Sequence, residues 1–315
     1  MNTLWWTGAM TKDGIPGQIG LGKRLTTMTQ SFIWSATPVF LTAQLAEFYG
    51  DAEPMRTFYG KALHFVRFFE KTAQDGTPTP NLLADHAATP DVPRQKQDSA
   101  LINAMFFFEI QNRFVRMADS MKKPADAEHA RAYAETIRAA VMKRYNPAKH
   151  TFGNGTEDSL ALAYGIITDP MEAKALSESL VGYYRANGHQ FDGGFMSYEI
   201  YPMLSKYGYV EDAYEMLVNP DYAGPAWSVK TYDATTFYEV YTLDKIQQMK
   251  VGQNFFAYGH PLGWMITDLA GIRYTTEEPN GKRMILAPKI PSSGKLKQVG
   301  VAQNTDGNRE KRLDV

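Results

Sequence analysis

The 315-residue chain carries 33 Lys and Arg against 34 Asp and Glu, a formal net charge of −1 without a basic stripe, which argues against a nucleic-acid partner. Hydrophobic residues at 44% and aromatics at 13% exclude a disordered chain and suit one large core with an appendage. Cysteine is absent and the six His form no closely spaced pair, so disulfides, thiolate chemistry and a transition-metal site are not expected.

No stretch reaches about 18 apolar residues, so no membrane-spanning helix is expected. Met1 to Met10 has no signal-peptide pattern, which leaves the compartment open.

From Gln30 to Ala270 the pattern is one amphipathic helix after another. Expected helices cover 32–48 and 54–72, then one opens at Asp98, which can cap it, and ends at Lys122-Lys-Pro124. Within it Leu101, Met105 and Phe108 recur with Ile102, Phe106 and Ile110 at three- and four-residue steps, so a broad apolar face is predicted. A short loop leads to 126–144, as in an antiparallel hairpin. Further helices are expected at 157–167, 171–186, 197–207, 211–218, 235–243 and 255–269, making about ten in five hairpins. Beyond Gly271 the segments 282–288 and 296–302 alternate like strands, and the polar tail 303–315 is expected to be loose. The domain reading is a helical unit over 1–272 and a β appendage with a tail over 273–315.

The segment Asp233-Ala-Thr-Thr-Phe-Tyr-Glu239 resembles the Gly-Ala-Thr-Thr-aromatic-Trp-Glu segment of bacterial α-L-rhamnosidases. It is joined, in the family's order, by Phe191-Asp-Gly-Gly-Phe195, Pro202-Met-Leu-Ser-Lys-Tyr-Gly208, and Gln253-Asn-Phe-Phe-Ala-Tyr-Gly259 running into Trp264. Upstream, Phe32-Ile-Trp-Ser-Ala36 with Phe48-Tyr-Gly-Asp51 resembles a Gly-Trp-Gly-Asp helix, and Leu83-Ala-Asp-His86 a Gly-Asp-Trp loop.

The resemblance covers roughly residues 30 to 302. It implies an all-α fold, the (α/α)6-type six-hairpin toroid, and an inverting glycosidase without a cofactor, in which Glu239 is the general base. Departures are explicit: His86 stands for a tryptophan, Ala36 for an aspartate and Phe255 for a histidine. The family's acidic motif, an Asp followed by Glu-Arg and Trp-Thr-Gly-Asp, supplies the general acid, and only Leu4-Trp-Trp-Thr-Gly8 echoes its end. Lys12-Asp-Gly-Ile-Pro16 follows where the family first inserts another hairpin. A fragment, a deletion or a degenerate paralogue is therefore expected, with a homo-oligomer or partner chain covering the open apolar seam.

Inversion requires two carboxyl groups roughly 6.5 to 9.5 Å apart with water between them. Glu239 is placed at a helix start near the barrel mouth, against the alternative of a surface glutamate acting on the helix dipole. Thr235 and Thr236 can cap that helix. Asp85, Asp192 and Asp13 are the loop carboxylates available as the acid, none in a motif that identifies it; Asp85, with His86 beside it, and Asp192 are placed among the sugar-binding residues, Asp85 as an acceptor for sugar hydroxyls. Trp34 and Trp227, at loop-like places, and Tyr232 suit stacking on a sugar face, whereas Trp264 reads as core. His260 stands one turn after the missing histidine and equally suits capping or packing. The pair Gly193–Gly194 reads as a tight turn. Two functions follow: a glycosidase on terminal rhamnosides or related sugars, or an inactive carbohydrate-binding relative lacking the acid. A helical scaffold for another protein ranks third.

Overall fold

Apolar stripes at helical spacing become helices that bury them against one another. The computed structural model describes residues 13–16, 32–79, 98–188, 190, 192–194, 196–221, 224–239, 246–247, 252–275, 283–305 and 309–314. The chain divides into two compact units, one of 1–84, 97–145 and 274–283, the other of 85–96, 146–273 and 284–315.

Among the described residues the first unit has four helices: α1 (Phe32–Tyr49), α2 (Glu53–Thr72), α3 (Ser99–Ser120) and α4 (Pro124–Met142). Two of their starts follow directly from the sequence. Asp98 caps α3 by accepting from the N–H groups of Ala100 (3.0 Å) and Leu101 (3.1 Å), and Pro124 opens α4 where no N–H is needed. Packing centres on Phe32, whose ring lies 4.8 Å from Phe69 and 5.1 Å from Phe107, both edge-on. Polar ties sit around this core: Glu70 accepts from Gln111 (3.0 Å) and Arg67 (3.0 Å), and Tyr59 donates to Asp126 (2.8 Å). The apolar surroundings of Glu70 raise its pKa above the ordinary carboxylate range, against the pull of Gln111 and Arg67.

The second unit contains α5 (Gly155–Ala163), α6 (Pro170–Asn187), α7 (Ile200–Lys206), α8 (Val210–Val218), α9 (Pro225–Tyr232) and α10 (His260–Trp264). Asn154 caps α5 and Asp169 caps α6, which ends at Gly188 in the left-handed region with φ +75°. A 3-10 turn over Ser197–Glu199 leads into α7. Trp264 is core, 2% exposed, its indole N–H donating to Ser205 Oγ at 2.7 Å.

Three expectations are corrected. No helix runs through residues 235–239, which are bends and irregular backbone, while 240–243 lie outside the described residues. α9 precedes this segment, opened by Pro225 and closed by Asp233 at φ +49°, and the chain is helical again at 246–247. The expected helix 255–269 is divided into a 3-10 turn (Phe256–Gly259), α10 and a π-turn (Met265–Leu269). Pro261 is the cause, since it has no N–H for the carbonyl of Ala257, which His260 Nδ1 satisfies at 3.0 Å.

The tail is the third correction. Strands β1 (Ile272–Tyr274) and β2 (Met284–Leu286) pair, as do β3 (Gly300–Thr305) and β4 (Arg309–Asp314). The β3–β4 register runs antiparallel from Gly300 opposite Asp314 to Thr305 opposite Arg309. Strand pairing satisfies backbone groups whatever the side chains, and Asp306-Gly307-Asn308 is a turn sequence between two strands.

Candidate functional site

Glu239 lies on the second unit, reached from α9 through a reversal at Asp233. On α9, Trp227 meets Tyr232 edge-on at 5.3 Å and 87°, and Tyr232 lies 6.5 Å from Tyr238. All three rings are half-buried. Residues 236–239 then run beside 252–255. The Glu239 N–H donates to Gly252 O (3.0 Å), the Phe255 N–H to Phe237 O (2.7 Å), and the Thr236 hydroxyl to Gln253 O. The Glu239 carboxylate itself is half-buried and accepts from the Gly252 N–H at 2.8 Å through Oε2. Glu239 thus lies at a bend whose backbone is paired with 252–255. Thr236 pins a strand-like pairing instead of capping a helix, because a β-branched and aromatic run after a left-handed Asp233 favours extended backbone.

Asp192 is 3% exposed. Its Oδ1 accepts from the Thr156 hydroxyl (2.7 Å), its Oδ2 from the Tyr184 hydroxyl (2.6 Å), and its carbonyl from the Tyr258 hydroxyl (3.1 Å). Gly194 lies in a turn, as expected, but without positive φ; a Cβ there would come within 3.0 Å of Phe255 and 3.3 Å of Ala257, so the glycine also permits close approach.

His260 opens α10. Because a carbonyl only accepts, Nδ1 carries the proton toward Ala257 O, and Nε2 faces the Gln190 amide at 3.5 Å. Burial pushes its pKa down to about 4, so the ring is neutral near pH 7. That is packing geometry, with Tyr201 5.7 Å away.

The remaining candidates are elsewhere. Trp34 is half-buried within α1 and Trp227 within α9, so neither occupies the loop-like place expected of it. Asp13 is exposed, its carbonyl 2.8 Å from His64 Nε2. Asp85 and His86 lie outside the described residues.

Sequence reasoning missed a buried acidic group at the start of α5. Glu157 is 2% and Asp158 1% exposed. Asp158 accepts from the Phe152 N–H (2.7 Å) and the Thr151 hydroxyl (2.7 Å), yet burial, with Glu157 adding to it, pushes its pKa up to about 7. The Tyr184 hydroxyl is raised well above the usual tyrosine value, first by burial and then by Asp192. Two acids in a first helical turn normally read as a solvated pair near the helix dipole. Among the described residues no group of three or more His, Cys, Asp and Glu could hold a metal ion.

Residues 5–269 match the family model of the bacterial alpha-L-rhamnosidase 6 hairpin glycosidase domain. No curated protein matches the chain. Solved structures similar to it include the α-L-rhamnosidase from Dictyoglumus thermophilum, with TM-score 0.84, 21% identity, and coverage of 97% of this chain and 34% of that one. The α-L-rhamnosidase from Aspergillus terreus gives 0.79 and 19%, covering 92% and 34%. That from Streptomyces avermitilis, complexed with L-rhamnose, gives 0.68 and 19%, covering 83% and 25%. The fold is that of the six-hairpin glycosidases, and the chain spans about a third of the length of the first two of these proteins.

Proposed function

The chain belongs to the bacterial α-L-rhamnosidase six-hairpin glycosidase family, and from that premise we propose that it hydrolyses terminal α-L-rhamnosides or related deoxy-sugar residues of glycans with inversion. Glu239 serves as the base that takes a proton from the attacking water. The observation that carries this reading is the carboxylate of Glu239, oriented by the Gly252 N–H at 2.8 Å, on a segment whose neighbours Tyr238, Tyr232 and Trp227 offer aromatic faces to a sugar. A backbone donor on one carboxylate oxygen fixes the plane of the group, which is what a base needs to meet a water held against the anomeric carbon. Asp85 and His86 belong to the proposed sugar-binding set through the family resemblance alone, and the reading requires no cofactor.

The test is Glu239→Gln, which keeps the shape and removes the basic oxygen. Release of rhamnose from an aryl α-L-rhamnoside should fall by about three orders of magnitude or more while rhamnose binding persists. Unchanged turnover would sink the assignment.

A second reading is a carbohydrate-binding relative without turnover. It is favoured by Ala9, which follows Trp6-Thr7-Gly8 where the family's Trp-Thr-Gly-Asp has its aspartate. Calorimetry that detects rhamnose binding in a wild-type chain inert toward aryl rhamnosides would decide for it. A second copy covering an apolar seam belongs to both readings, and sedimentation as a monomer would remove it.

A further inference from the structure

We propose that Asp192 is a positioning residue for Glu239, acting through Tyr258 and the 252–258 segment; this rests on Glu239 being the base. The carboxylate of Asp192 already serves the protein, since Thr156 and Tyr184, 0% and 3% exposed, each donate to one of its oxygens. A sugar hydroxyl would have to displace one of these buried donors and leave it without its acceptor.

What the clamped loop passes on is the position of a carbonyl. The Tyr258 hydroxyl donates to Asp192 O at 3.1 Å, and Tyr258 is 2% exposed. Its ring meets Phe255 edge-on at 5.7 Å, and its N–H donates to Phe255 O at 3.3 Å. Phe255 also leans on Gly194. From Phe255 the connection is backbone only: its N–H holds Phe237 O, and three residues earlier the Gly252 N–H holds Glu239 Oε2.

Gly252, Gln253 and Asn254 are exposed, so they have little burial of their own to fix them. The order of the Gly252 donor therefore comes from the anchored end at Phe255 and Tyr258. Loosening that end tilts the carboxylate of Glu239 without removing any group that touches sugar. The cost falls on kcat, because reaction geometry changes, and not on KM.

Two variants test this. Tyr258→Phe deletes only the hydroxyl that meets Asp192 O, and Asp192→Asn keeps the size of the carboxylate while it weakens acceptance from Thr156 and Tyr184. In both, kcat on an aryl α-L-rhamnoside should fall about tenfold with KM within about twofold of wild type. Amide exchange at Gly252 and Phe255 should quicken by about tenfold while Leu204 in α7 keeps its protection. A structural role alone would speed exchange at all three sites together and overturn the proposal. So would unchanged exchange at Gly252 and Phe255, or a raised KM with kcat intact in Asp192→Asn, which would mark a sugar contact. If the wild-type chain turns over no rhamnoside, the assignment of Glu239 fails separately; the exchange arm still decides whether Asp192 orders the segment.

Discussion

Glu239 and Gly252 are joined twice, the Glu239 N–H to the Gly252 carbonyl at 3.0 Å and the Gly252 N–H to Glu239 Oε2 at 2.8 Å. A substitution at Gly252 can separate the side-chain bond from simple bulk. An alanine Cβ there would lie 3.7 Å from Glu239 Oε2, ordinary contact. Gly252→Ala should leave kcat within about twofold. Gly252→Pro deletes the donor to a charged acceptor and should lower kcat by about ten- to a hundredfold. Steady-state kinetics on an aryl rhamnoside check both, and equal activity of the two variants would show that the amide does not orient the proposed base.

Asp158 and His260 pull the pH dependence of stability in opposite directions. With a folded pKa of about 7 against 3.8, Asp158 holds a proton that the unfolded chain releases, so its contribution is lost as pH rises from about 4 to 7. His260, at about 4 against 6.5, is left neutral while the unfolded chain takes up a proton, so its contribution is lost as pH falls from about 6.5 to 4. Between about pH 4 and 6.5 the two slopes, each up to about 1.4 kcal/mol per pH unit, oppose one another. Asp158→Asn removes one of them. Relative to wild type, the variant should gain stability as pH rises through that window and level off above about 7. Denaturant melts at pH 4.5, 5.5, 6.5 and 7.5 measure the difference, and parallel curves for the two proteins would contradict the raised pKa.

The helices that were legible in the sequence are those that bury one stripe. In α3, Leu101, Ile102, Met105, Phe106, Phe108 and Ile110 are all buried, as their spacing requires. Residues 235–239 read as helix because Thr235 to Glu239 contains no breaker. What decides their backbone is Asp233 at φ +49° and a partner segment thirteen residues away, neither of which periodicity registers. Glu157 and Asp158 likewise carry no local sign of burial. They are enclosed because α6 brings in Tyr183 and Tyr184 and the chain at Thr151 and Phe152 folds back onto Asp158. Glu239 is nominated by a resembling heptapeptide, whereas the proposed positioning chain through Tyr258 depends on distances that only the folded chain supplies.

Phe32 is the ring around which the first unit packs, 0% exposed and in contact with Phe65, Phe69, Phe106 and Phe107. Phe32→Ala removes a side chain from among four others that cannot all move in, and should cost about 3 to 5 kcal/mol. Phe32→Leu keeps most of the volume and should cost about half as much. Urea unfolding checks both, and a loss below about 1 kcal/mol for the alanine variant would place the core elsewhere.

Gly271 fixes how the chain after α10 returns. It has φ +70°, and its carbonyl accepts from the Ala287 N–H at 2.9 Å. A Cβ at this position would lie 2.1 Å from the Ala287 carbonyl carbon and 2.2 Å from the Pro288 nitrogen, both backbone atoms that cannot turn aside. Gly271→Ala therefore meets two penalties at once: a left-handed backbone for an L-residue, about 1 kcal/mol, and overpacking that typically costs about 1 to 3 kcal/mol. The cheaper escape is for residues 284–290 to lift away, which also breaks the bonds from the Lys289 N–H to Asp268 O (3.0 Å) and from Lys289 Nζ to Asp268 Oδ1 (3.0 Å). The variant should lose about 2 to 4 kcal/mol in urea. Its fastest-rising amide exchange should be at Ala287 and Lys289, with α5 and α6 unaffected. If Gly271→Ala melts with the wild type and keeps both amides protected, the segment carrying β2 does not lie against Gly271.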